Sequence, residues 1–135
     1  MFDQDLLIYL KADGTLDTLL TATASDSKIY PIQKPHNVTH PCIVYTVSSS
    51  GSVEENLREI SFTFDCISTT YLQAKNISDR LVALLDLQDA INGTITTVNY
   101  IIYWAKHISG NTYIDGDENL FHNLITINFK YATLP

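Results

Sequence analysis

The chain has 135 residues, of which 45% are hydrophobic and 17% charged, with a formal net charge of −7. That length buries roughly two-thirds of the unfolded surface, so one domain spanning residues 1–135 is expected. Eight lysines and arginines scattered against fifteen acidic residues withhold the counterion release that drives specific nucleic-acid binding, and no apolar run reaches the roughly 20 residues of a membrane-spanning helix.

Asp3 is the expected N-cap of a first helix carrying Leu6, Leu7 and Leu10 on one face, and Leu16, Leu19 and Leu20 continue the helical pattern beyond Gly14. The opening MFDQDLLIYLKAD lacks the basic start and apolar block of a secretory signal, so synthesis in the cytoplasm is expected. A polar loop, TATASDS, leads into IYPIQKPHNVTHP. Pro31, Pro35 and Pro41 predict an extended, irregular run there that cannot be a central strand.

CIVYTVSSS reads as a strand, and residues 48–57 as an exposed polar loop leading to a second, hairpin-paired strand. There the period is two: Ile60, Phe62, Phe64 and Cys66 share one face, and Ser61, Thr63 and Asp65 the other. After Thr70, the expected N-cap of a helix, the period becomes helical. Ala74, Ile77, Leu81, Leu84 and Leu85 form the apolar stripe, with Lys75, Asp79 and Arg80 left to solvent.

Asn92-Gly93 marks a turn, and ITTVNYIIYWAKHI, apolar on both faces, is expected to be a central strand. Residues 109–119 read as a second exposed loop. The last strand alternates Phe121, Ile125, Ile127, Phe129 and Tyr131 with His122, Thr126, Asn128 and Lys130. The expected fold is α+β, an antiparallel sheet of about four strands with two helices packed on one face.

In their order, these pieces resemble the tail-completion proteins of long-tailed bacteriophages, also called tail terminators or tail-to-head joining proteins. The resemblance rests on the short N-terminal helix, Ile29-Tyr30-Pro31, Pro35, and Pro41-Cys42-Ile43-Val44-Tyr45. It continues through Phe62-Thr63-Phe64-Asp65-Cys66, Thr70-Tyr71-Leu72-Gln73-Ala74, and Asp117-Glu118-Asn119-Leu120-Phe121-His122. It implies a non-enzymatic virion protein without a cofactor, located where tail meets head. Six copies would close into a homo-hexameric ring that caps the major tail tube protein and offers its other face to a head-completion or neck protein. DNA would pass through the lumen without specific binding, and no membrane would be involved. A neck or minor capsid protein is the nearest competing role.

Long loops on a rigid sheet usually serve binding, so the two polar segments supply the interface candidates. These are Ser49, Gly51, Glu54 and Glu55 in the first and Asp115, Asp117 and Glu118 in the second, with Asp65 a further carboxylate for a lumen or interface. The alternative chemistry is a small metal-dependent hydrolase or ligand-binding protein using His36, His40, Cys42 and Cys66, all legitimate zinc ligands. His36 and His40 have a zinc-finger spacing only on a helix, which Pro35 and Pro41 forbid. Cys66 is expected in the core, and His107 and His122 at sheet edges.

Overall fold

Residues 2–23, 26–33, 39–54, 57–87, 94–117 and 119–135 are described by a computed structural model, with the backbone alone at 49–54. In chain order they form α1 (Phe2–Lys11), α2 (Gly14–Leu20), β1 (Ile29–Pro31), β2 (Cys42–Glu54), β3 (Leu57–Ser68), α3 (Tyr71–Leu85), β4 (Ile95–Thr96), β5 (Tyr100–Asp115) and β6 (Leu120–Thr133). The strands make one curled sheet in the order β1-β2-β3-β6-β5-β4. β1 runs parallel to β2, and every other pair is antiparallel.

This overturns the four-stranded antiparallel sheet with two helices: among the described residues the sheet is six-stranded and mixed, with three helices. The extra strands are β1 and β4, too short to show a period of two. Pro31, without an N–H, is tolerated because β1 lies at an edge. β5 is second from the opposite edge rather than central, and the centre is formed by β3 and β6. The two segments read as loops are largely strand: β2 continues to Glu54, and β5 to Asp115. Asp3 lies inside the first turn of α1 instead of capping it.

The helices share one face of the sheet through a single apolar cluster. Leu6 and Leu10 of α1, Leu16 and Leu20 of α2, and Ile77, Leu81 and Leu85 of α3 pack with Phe62, Phe64, Ile127 and Phe129. Phe62 anchors this core, its ring stacked near Tyr45 and Phe64 and meeting Phe2 and Phe129 edge-on. Offset and edge-to-face aromatic pairs add about 0.5–1.5 kcal/mol each beyond the area they bury.

Local chemistry places α3. Thr70 is its N-cap, with the Gln73 N–H donating to Thr70 Oγ1 at 3.3 Å, while the Ser68 hydroxyl bonds the Gln73 side chain. Arg80, expected in solvent, instead donates to both carboxylate oxygens of Asp13 at 2.9 and 2.7 Å. Asp13 in turn caps α2, accepting from the Leu16 N–H at 2.9 Å.

Candidate interaction surface

The β3–β6 register runs from Arg58 opposite Tyr131 to Ser68 opposite Phe121. At about 3.3 Å per residue, this puts the two hairpin ends roughly 30 Å apart along the strands. Ser49, Gly51 and Glu54 lie on β2 toward the end where Glu54 pairs Leu57, whereas Asp115 and Asp117 lie at the other end, where β5 turns into β6. Glu55 and Glu118 fall outside the described residues. The candidates therefore form two separate surfaces. Asp115 Oδ1 accepts from the Asp117 N–H at 3.0 Å, so this carboxylate shapes its own turn.

The helix-free face carries a polar stripe down the two central strands. Ser61 bonds Asn128, the Thr63 and Thr126 hydroxyls lie 3.2 Å apart, and Asp65 Oδ2 lies 2.8 Å from His122 Nδ1. Tyr113 on β5 stacks flat on His122, ring centres 4.6 Å apart. Burial, together with the nearby Asp65 and Asp115 carboxylates, pushes the Tyr113 hydroxyl pKa up. Farther along, Lys130 sits 5.0 Å above the Trp104 ring, a cation–π contact.

Asp65 Oδ1 and His122 Nε2 are buried without a hydrogen-bond partner among the described residues. His122 is thus no edge residue; it belongs to an interior strand and is 9% exposed. His107 is on β5, with Nε2 3.0 Å from the Ser109 carbonyl. The Asp65–His122 pair escaped sequence reasoning because its partners are 57 positions apart. Its only sequence signal is that both residues occupy the polar parity of their strands.

Among the described residues, no three side chains of metal-binding type come together, so the alternative set of His36, His40, Cys42 and Cys66 gains no support there. Cys66 belongs to the main core, while Cys42 packs with Ile67 and Leu120 on the opposite face, and His36 lies outside the described residues. Full burial pushes the Cys66 thiol pKa well up, the reverse of what a thiolate ligand or nucleophile needs. A cleft of about 360 Å³ between α3 and β5 is lined by Ser78, Asp79, His107, Thr112 and Asn123. There Asn123 donates to Ser78 Oγ at 2.8 Å and Ser78 to the Lys75 carbonyl at 2.9 Å, which ties helix to sheet.

The architecture is thus an α+β fold with three helices on one face of a curled, mixed sheet. No family profile matches the chain, and no curated protein matches it in sequence. Among solved structures, a chain from the virion of a native gene transfer agent particle has the same fold. The TM-score is 0.70 over 96% of this chain and 92% of that one, at 10% sequence identity.

Proposed function

We propose that this chain is a virion structural protein rather than an enzyme, and that its task is tail completion. Six copies close into a ring on the end of the tail tube, stop its growth and present the opposite face to a head-completion or neck protein. The observation that carries this reading is the shared fold, over nearly the whole of both chains, with a component of a gene transfer agent virion. The motif order in the sequence points the same way, and it narrows the role from virion component to tail terminator. A net charge of −7 suits a channel through which DNA slides without pairing its phosphates to lysines.

The test is a nonsense mutation in the gene, with particles viewed by electron microscopy. The expected result is filled heads separated from tails of uncontrolled length. Tails of normal length that fail only to join would reassign the chain to the neck. Complete particles lacking the protein would overturn a virion role altogether.

A further inference from the structure

Two strands of the sheet have long stretches with a neighbour on one side only. Among the described residues, β4 pairs β5 only at Ile101 and Ile102 and the Leu87 N–H donates to the Ala105 carbonyl at 2.9 Å, so from Lys106 to Asp115 β5 is paired by β6 alone. Among the described residues, β1 covers β2 only at Ile43, Val44 and Tyr45, so from Thr46 to Glu54 β2 is paired by β3 alone. An uncovered edge is a row of unpaired N–H and C=O groups, a template for another strand unless blunted by lysine, proline or bulges.

The stretch Ser109–Asp115 has none of these guards. It holds no lysine or proline, and its register with β6 is unbroken from Ser109 to Asp115. Exposed apolar side chains stand along it, with Tyr113 at 44% and Ile114 at 56%. On β2, the run Thr46–Ser49 is likewise in unbroken register with β3 before the shift at Gly51.

We propose that the β5 edge of one copy pairs with the β2 edge of the next, extending the sheet from subunit to subunit. Strand direction favours a second copy as the occupant. Because β2, β3, β6 and β5 alternate in direction, β5 laid beside a neighbour's β2 forms an antiparallel ladder with the two sheets continuous. One operation then satisfies both edges of every copy, and the contact is head-to-tail. Charge favours it too. Thr46–Ser49 carries no charge and Ser109–Asp115 only the carboxylate of its last residue, Asp115, so a chain of net charge −7 meets itself there with little direct repulsion. The curl of the sheet turns successive copies in the same sense, as closure requires. The pairing rests on the ring reading for its closure into a ring, and for nothing else.

Introduced cysteines test it in the full-length chain: Asn111→Cys or Ile114→Cys on β5, each combined with Thr46→Cys or Ser48→Cys on β2. Native Cys42 and Cys66 are fully buried, which leaves oxidation to the new pairs. At least one combination is expected to give a covalent ladder beyond dimer on a non-reducing gel, while single β5 cysteines give none. Adding two lysines at Asn111 and Ile114 should abolish the assembly seen by light scattering while melting shifts by no more than about 2 °C, as for surface substitutions. No ladder in any combination, or dimers from single β5 cysteines, overturns the pairing. If rings form without a ladder, the edge contact falls and the ring stands. If the ladder forms but particles lacking the protein are complete, the contact stands and tail completion falls.

Discussion

Thr21 shows how one residue can carry a correctable cost. It ends α2 in the left-handed region at φ 52°, while the Ala22 N–H reaches the Asp17 carbonyl at 2.9 Å and the Thr21 N–H the Thr18 carbonyl at 3.2 Å. That is a Schellman closure, whose left-handed position is ordinarily glycine because a Cβ there crowds the following carbonyl. Thr21→Gly is expected to stabilise the protein by about 0.5–1 kcal/mol, after the extra freedom glycine gives the unfolded chain. That is a rise in melting temperature of roughly 2–4 °C, read by calorimetry. An unchanged or lower melting temperature would mean that the Thr21 hydroxyl, which donates to the Leu20 carbonyl at 2.6 Å, outweighs the strain.

Among the elements, α2 and α3 are joined through Asp13, which caps one helix and binds Arg80 on the other. The Arg80 guanidinium holds the Asp13 carboxyl below its usual range, with the Leu16 N–H adding to the effect. The folded chain therefore keeps this group ionised to lower pH than the unfolded chain does. Its stabilisation is complete above the unfolded value of about 4 and is lost as pH falls through the lowered folded value. Asn also caps helices well, so Asp13→Asn removes the charge and largely preserves the cap. Its urea midpoint should be lower than the parent's at about pH 6 and fall less on acidification to about pH 3; parallel acid limbs would refute the linkage. Thr70 as cap and the stripe Ala74, Ile77, Leu81 and Leu85 were legible, because caps and helical periodicity are local signals. The outer halves of β2 and β5 were not. SSSGSVE holds a single apolar side chain and SGNTYID is almost wholly exposed, so nothing imposed alternation on them, and their strand geometry comes from pairing with β3 and β6.

For the molecule as a whole, the common apolar face was readable from Phe62, Phe64, Ile127 and Phe129. The sheet order was not, since it depends on which edges pair across long stretches of chain. The Asp65–His122–Tyr113 cluster was not legible, because it needed three strands in register. The adjacency of β3 and β6 at the sheet centre also has a consequence in time. Thr63 meets Thr126 across 63 positions, so ribosomes adding about 5–20 residues per second leave β3 without its central partner for roughly 3–12 seconds. Throughout that interval Phe62 and Phe64 lack the β6 side of their core, and transiently exposed apolar surface of this kind is prone to aggregate. Refolding from denaturant should accordingly fall in the millisecond-to-second range of proteins dominated by distant contacts, with stopped-flow fluorescence of Trp104 as the readout, whereas microsecond folding would contradict the topology.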